Sequence, residues 1–323
     1  MFLLVQLLDL NVIPLAGESL GTRSSAVAVQ GQKSQFILDP GVDVAPRRYD
    51  LPPHSIELNR RNEHRANILN IIKEKHVAGF WISHFHFDHF PKINEAVKIG
   101  KAMYHWDPEL QNFPIAPFYI KDPSENLNKN QTRRARKFTR ALKKLDQKYY
   151  PAENNLFKTE EFTIKGSPIM PHGEISPLGF VVGCAIKYKD TKLCYTGDVV
   201  GMPLQQHVDW IVSEQPDILI MDGPMKEQLP AFKENIKQVI DKTNLKHLTI
   251  EHHLLRSKNW TNLIIEELDY AKEADVSVKC YSELLGKKIE LLEVSRKDLF
   301  EFLPESGPKL TKGYKKKKKK GNN

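Results

Sequence analysis

Residues 81–91 read Trp81-Ile82-Ser83-His84-Phe85-His86-Phe87-Asp88-His89-Phe90-Pro91. The H-x-H-x-D-H pattern inside them decides how the rest of the chain is read. A short apolar run, residues 79–82, leads into it and predicts a buried strand. Pro91 suits the first turn of a helix, where a missing N–H costs nothing, so a short helix is expected to about residue 99. Strand alternation puts His84 and His86 on one side of an extended segment, and the tight Asp88-His89 pair can turn to a second metal. Imidazole and carboxylate suit zinc and similar divalent ions. A single histidine here would read as a cap or a core residue. Four potential ligands within six residues read as a metal site.

Working outward, strands are expected at residues 12–15, 24–30 and 35–39, then a helix over 56–75 with Leu58, Ala66, Leu69 and Ile72 near one face. A strand near 102–104 follows the motif. Residues 106–160 differ in character: aromatic residues sit among prolines, and a strongly basic helix is expected over 129–148. Its apolar stripe is Ala135, Phe138, Leu142, Leu145 and Tyr149. Strands at 162–165 and 168–171 lead to His172, and a hairpin over 180–188 and 192–196 runs into Asp198. A strand at 217–221 ends in Asp222. A helix over 230–241 precedes a strand at 247–250, which ends in Glu251-His252-His253. A helix from 257 or 260 to 274 and a strand at 276–280 follow. Ser282 is a plausible N-cap for a last helix reaching about residue 302. The candidate ligands Asp39, His172, Asp198 and His252 thus all stand at strand ends, and a sheet delivers such ends to one edge.

Forty per cent apolar and 27% charged residues make an ordinary soluble composition. Six of the eight net positive charges are the lysine run 315–320, so the remainder carries +2. The tail, 306–323, reads as disordered. It and the basic helix could hold a polyanion such as nucleic acid. The alternative is a solubilising end and a solvated face. Cys184, Cys194 and Cys280 lack metal or redox spacing and suit buried thiols in a reducing, cytoplasmic setting. Residues 1–10 are apolar but lack the basic and small-residue flanks of a signal peptide, so they read as an early start or an extra edge strand. No run is long enough to span a bilayer.

The order Asp39, then His84-x-His86-x-Asp88-His89, then His172, then Asp198 in "YTGD", then His252 resembles the metallo-β-lactamase superfamily over roughly residues 11–281. "VIPLAGESLGTRS", "LDPG" and "HHLLR" look like an archaeal branch of it that brings no known substrate. The resemblance implies an α+β, four-layer αβ/βα sandwich, here a single domain over 1–305 with residues 106–160 as an inserted basic helical segment. It implies two divalent ions, zinc by default, with manganese or iron as alternatives. His84, His86 and His172 would hold one; Asp88, His89 and a last histidine would hold the other; Asp198 would bridge. "LTIEHHLLR" is similar to the strand-then-histidine motif of tRNA 3′-processing endonucleases, which selects His252 over His253 as the last ligand. Asp39 would accept a ring N–H from a ligand histidine, and Asp222 could lie in the same outer position or simply in a turn. Two ions sharing a water lower its pKa to roughly 7, which supplies a hydroxide nucleophile. The expected chemistry is therefore hydrolysis of an anionic substrate. A phosphodiester is favoured, with a carboxylic ester, thioester or lactone as the alternative and a non-catalytic binding protein as the third reading. His253 and Glu251 are the candidates for a general acid, by proximity.

Overall fold

Strand alternation organises the chain into layers. The computed structural model describes residues 5–92, 96–99, 102–105, 110–174 and 176–303; the lysine-rich tail expected to be disordered, 306–323, lies outside them. The first half contains β1 (Val5–Leu7), β2 (Leu10–Pro14), β3 (Val27–Gln30), β4 (Ser34–Leu38), helix α1 (Ser55–Glu74) and β5 (His76–Ile82). A hairpin of β6 (Ala96–Ile99) and β7 (Ala102–His105) comes next, then β8 (Phe118–Ile120), helix α2 (Lys129–Lys144) and β9 (Tyr149–Pro151). The first sheet has seven strands in the order β1-β2-β3-β4-β5-β8-β9. The expected edge strand within residues 1–10 is β1, paired antiparallel with β2. The segment expected as a helical insertion supplies α2, and its β8 and β9 also complete this sheet.

The second half begins with β10 (Leu156–Lys158), β11 (Thr163–Gly166), β12 (Met170–Pro171), β13 (Phe180–Val181), β14 (Cys184–Tyr188) and β15 (Thr191–Tyr195). Then follow α3 (Gln205–Glu214), β16 (Ile218–Asp222), α4 (Leu229–Lys242), β17 (His247–Glu251), α5 (Trp260–Leu263), α6 (Ile265–Glu273), β18 (Ser277–Lys279), α7 (Tyr281–Leu284) and α8 (Arg296–Phe302). The second sheet runs β10-β11-β14-β15-β16-β17-β18, with β12 and β13 paired separately.

Three apolar layers hold these elements. Val12, Val29, Phe36, Leu38 and Trp81 of the first sheet meet Ile164, Ile186, Leu193, Tyr195 and Ile220 of the second. The alternate residues Ile13, Ala28, Ile37, Phe80 and Ile82 face Ile68 and Ile72 of α1 and Phe138 and Leu142 of α2. On the far side Leu219, Met221, Leu248 and Ile250 pack on α3, α4 and α6. Both faces of each sheet are covered, which is why central strands such as residues 36–38 read as continuous apolar runs. The result is the four-layer αβ/βα sandwich.

Some local expectations change. The helix expected from Pro91 to about residue 99 is not seen among the described residues: the motif closes in a tight turn, with His89 N–H donating to His86 O at 3.1 Å, and Ala96–Ile99 is the strand β6. Within 168–171 only Met170–Pro171 pairs as a strand. The helix expected to 274 breaks at Ile264 into α5 and α6. The last helix is two short ones. Gly286, at φ 62°, takes the left-handed turn that ends α7, a conformation glycine adopts without strain. Cys280, not Ser282, stands at the N-cap of α7. Helix α3, unexpected from the sequence, buries Val208, Trp210 and Ile211.

The buried face of α1 also differs. It carries Glu57, Arg61, His64, Ile68, Ile71 and Ile72, whereas Ala66 is exposed. Polar residues take the core side because the C-terminal segment supplies partners: Arg296 donates to both Glu57 oxygens, at 2.8 and 2.7 Å. His54 caps the helix, its Nδ1 accepting from Ile56 N–H at 3.2 Å.

His64, bonded to Thr22 Oγ at 2.8 Å, is held by burial, then by Arg60, at a pKa of about 3. A folded-state pKa below the unfolded one means the unfolded chain binds the extra proton between about pH 6.5 and 3. Stability therefore falls as pH drops through that window, by up to about 1.4 kcal/mol per unit from this residue. His64→Gln should flatten that acid limb in urea unfolding measured across pH. An unchanged pH slope would contradict it.

Candidate metal centre

The parallel strands set the positions. Asp39 follows β4, Ser83 and His84 follow β5, Asp198 follows β15, Asp222 ends β16 and His252 follows β17. Leu38 pairs with Trp81 and Asp222 with Glu251, so these strand ends come level at one edge. His172 follows β12, its N–H donating to Gly179 O at 3.0 Å. Gly41, of the Leu38-Asp39-Pro40-Gly41 turn, lies against the motif backbone: a Cβ there would stand 2.3 Å from Phe90 N. That close approach brings Asp39 under the histidine loop.

Asp198 is the centre of the cluster. Its Oδ2 lies 3.2 Å from His172 Nε2, 3.3 Å from His89 Nε2 and 3.7 Å from His84 Nε2. Its Oδ1 lies 3.4 Å from His252 Nε2. Ligand atoms of His84, His86, His172 and Asp198 fall within 4.8 Å of one another, and so do those of Asp88, His89 and His252. His252 Nε2 faces Asp88 at 3.7 Å. His253 instead turns Nδ1 to Asp222 at 2.9 Å, which favours His252 as the last member of the group. His252 has φ 67° and Asp39 φ 40°. Backbone strain of this kind persists where the surroundings over-determine it, commonly at functional sites.

The donor set suits a divalent cation. His89 Nε2, both ring nitrogens of His172 and Asp198 Oδ1 are buried without a hydrogen-bond partner among the described residues. Orphaned buried polar atoms cost about 1–3 kcal/mol each, so three of them converging (His89 Nε2, His172 Nε2 and Asp198 Oδ1) calls for a ligand. Burial, then His89 and His86, hold His84 well below the usual imidazole range, and burial, then His172, takes His86 to about 3. Both rings are thus neutral, the state a metal requires. Burial works against a charge on His89 too, but Asp198 and Asp39 outweigh it and raise its pKa well above the ordinary value. A cation here offsets two buried carboxylates. Asp88 and Asp198 both lie below the usual carboxylate range, since neighbouring histidines outweigh burial; burial and then Asp198 push Asp222 well up.

Partners hold the rings. Asp39 Oδ2 accepts from His89 Nδ1 at 2.7 Å, from Tyr195 OH at 2.6 Å and from Ser83 Oγ, while Oδ1 accepts from Ser83 N–H at 2.7 Å. Asp222 accepts from Val200 N–H as well as His253. Glu251 is spent on structure. Its oxygens accept from Ser19 N–H at 2.7 Å, Ser19 Oγ at 2.8 Å and Tyr281 N–H at 2.9 Å, which leaves it no part as a general acid.

Sequence reasoning passed over four neighbours: Ser83, Tyr195, Glu18 and Arg256. Arg256 donates through Nε to Glu18 Oε1 at 2.7 Å and sets Nη2 3.0 Å from His252 Nε2 and 4.0 Å from Asp88. They lie in "WISH", "YTGD", "GESLGTRS" and "HHLLR", inside or beside the motifs of the sequence, but only folding shows what each touches.

Residues 20–246 match the family model of the metallo-beta-lactamase superfamily. The chain belongs to the metallo-β-lactamase superfamily. Within this superfamily, largely one of metal-dependent hydrolases, it also belongs with the UPF0282 proteins. That of Methanocaldococcus jannaschii is 35% identical over 298 residues, covering 90% of this chain and 96% of the relative. That of Sulfurisphaera tokodaii is 33% identical over 302 residues, covering 90% and 93%. Among solved structures, the metallo-beta-lactamase fold protein YhfI from Bacillus subtilis is similar, with a TM-score of 0.47 and 15% identity over 80% of this chain and 88% of its own. Igni18, a metallo hydrolase from Ignicoccus hospitalis, has a TM-score of 0.43 and 11% identity, covering 83% and 94%. Among the described residues, no helix of this metallo-β-lactamase superfamily member is long and apolar enough to cross a membrane.

Proposed function

We propose that the protein is a binuclear metal-dependent hydrolase of phosphodiesters. The observation that carries this reading is the Asp198 carboxylate. One of its oxygens faces His84, His89 and His172 and the other faces His252, amid buried ring nitrogens that lack partners. His84, His86 and His172 would hold one ion, Asp88, His89 and His252 the other, and Asp198 both. Divalent ions so held polarise a substrate oxygen and acidify a water. Zinc is the default, and an all nitrogen-and-oxygen set also suits manganese or iron.

The remaining residues orient and charge the site. Asp39 fixes the orientation of the His89 ring by accepting a hydrogen bond from its Nδ1–H, and Tyr195 and Ser83 fix Asp39 in turn. Asp222 accepts from His253 Nδ1. His253 Nε2 has no hydrogen bond among the described residues; with Nδ1–H on Asp222 and burial holding the ring well below the usual imidazole range, that atom is placed to accept a proton rather than to supply one. Arg256 keeps a permanent positive charge beside Asp88 and His252, which favours an anionic phosphodiester over a neutral ester.

The test is elemental analysis together with parallel assays on bis-p-nitrophenyl phosphate and a panel of carboxylic esters, thioesters and lactones. We expect two metal equivalents and diester turnover that His84→Ala abolishes. Acyl-ester turnover lost in the same variant, without diester turnover, would move the substrate class to acyl compounds. No bound metal, and no difference between wild type and variant, would remove the hydrolase reading.

A further inference from the structure

We infer that the outward face of α2 is a docking track for a single-stranded nucleic acid that leads its backbone to the metal centre; this rests on the phosphodiesterase reading above. Eight of the sixteen residues of α2 are Lys or Arg and none is acidic. Its buried stripe, Gln131, Ala135, Phe138 and Leu142, is occupied by the core. On the opposite side Lys129, Arg133, Arg136, Lys137 and Arg140 line a groove of about 450 Å³. Among the described residues none of these five has an ion pair with a carboxylate. Other cations of the chain do, for example Lys165 with Glu214 and Arg60 with Glu290. Cations three and four residues apart repel on a helix, and four such i, i+4 pairs stand here (129/133, 133/137, 136/140 and 140/144). A merely solvated face mixes in acids, as α1 does with Glu63 beside Arg60. An unrelieved row of like charges about 24 Å long fits a polyanion.

The helix is clipped to both ligand-bearing loops. Arg134 Nη1 donates to Phe85 O, inside the H-x-H-x-D-H motif, at 3.2 Å, and its guanidinium lies 4.1 Å from the Phe87 ring centroid. Asn128 and Gln131 side chains donate to Pro177 O at 3.1 Å and Leu178 O at 2.7 Å, in the loop after His172. A strand lying on α2 therefore starts beside the site.

Two features choose the occupant. His84 and His89 have no exposed surface and Asp198 is 2% exposed, so a rigid duplex cannot bring a phosphate to them, whereas a single strand can. The apolar stripe of α2 faces the core, which leaves no apolar face to enter a bilayer and argues against an anionic membrane.

The test is binding of a fluorescein-labelled oligouridylate to the full chain in chelator, across salt concentrations. Wild type should bind with a steep salt dependence. The combined variant Arg133→Gln, Arg136→Gln and Arg140→Gln keeps good helix formers and should weaken binding while lowering the log–log salt slope by about 2, at roughly 0.7 per phosphate contact. Changing the six lysines at 315–320 to glutamine should have the smaller effect. An unchanged slope in the α2 variant with intact circular dichroism, loss confined to the tail variant, or equal binding to duplex or to phosphatidylserine vesicles would overturn the inference. Turnover of bis-p-nitrophenyl phosphate by the unaltered chain reads the hydrolase function separately: turnover without oligonucleotide binding sinks only the docking track.

Discussion

Asp198→Ala is expected to cost the protein its metal complement: two equivalents in wild type should fall to one or none, and hydrolysis should fall with them. Among the described residues, Asp198 is the one carboxylate within 4 Å of His84, His89, His172, His252 and His253 together. Losing an outer partner of a ligand typically costs 10- to 100-fold in metal affinity, so losing the group between both sets should exceed about 100-fold. The folded state should also suffer in chelator. His89, charged between Asp198 and Asp39, would lose one of its two counter-charges, and breaking a buried pair from one side costs about 3–5 kcal/mol. Elemental analysis and urea unfolding read the two effects. Two equivalents retained by the variant would contradict the bridging position.

Asp39→Ala should also be strongly destabilising. The residue is fully buried, and four donors converge on it: Ser83 N–H, Ser83 Oγ, His89 Nδ1 and Tyr195 OH. Alanine leaves Ser83 N–H, His89 Nδ1–H and Tyr195 OH without an acceptor, while Ser83 Oγ keeps His84 Nδ1 at 3.0 Å, and it must adopt φ 40°, which Asp and Asn tolerate better. We expect a loss of about 3–5 kcal/mol and a 10- to 100-fold weaker metal affinity. Asp39→Asn keeps the backbone preference and one acceptor, so it should lose less stability. Tyr195→Phe removes a single donor and should cost about 1 kcal/mol. Denaturant unfolding in chelator and competition with a chromogenic chelator measure these. Equal stability of the alanine and asparagine variants would show that the hydrogen-bond hub is not what holds the turn.

How much could be read in advance depended on whether the signal was local. The strands around 36–38 and 79–82 were legible because residues buried on both faces write an unbroken apolar run. The basic helix was legible from its stripe at spacings of three and four. The helix after Pro91 was misread because proline's preference for a first turn is weak beside the tight His86–His89 turn. The face of α1 was misread because Glu57 is held in the core by pairing with Arg296, 239 residues away. Helix α3 is short, and its apolar residues are too few to make a period stand out.

By itself the sequence determined a set of histidines and carboxylates at strand ends, because alternation, turn chemistry and ligand type are properties of neighbouring residues; the αβ/βα architecture was implied by the resemblance of that ordered motif set to the metallo-β-lactamase superfamily. Only the tertiary structure decided that Asp198 faces two histidine groups, that Asp222 turns His253 aside while His252 faces Asp88, and that Glu251 is consumed by Ser19 and Tyr281. It alone set Arg256 and the row of cations on α2 beside the H-x-H-x-D-H loop. Those are distances between residues far apart in the chain, set by strand register and by the packing of two sheets, and no local pattern encodes them.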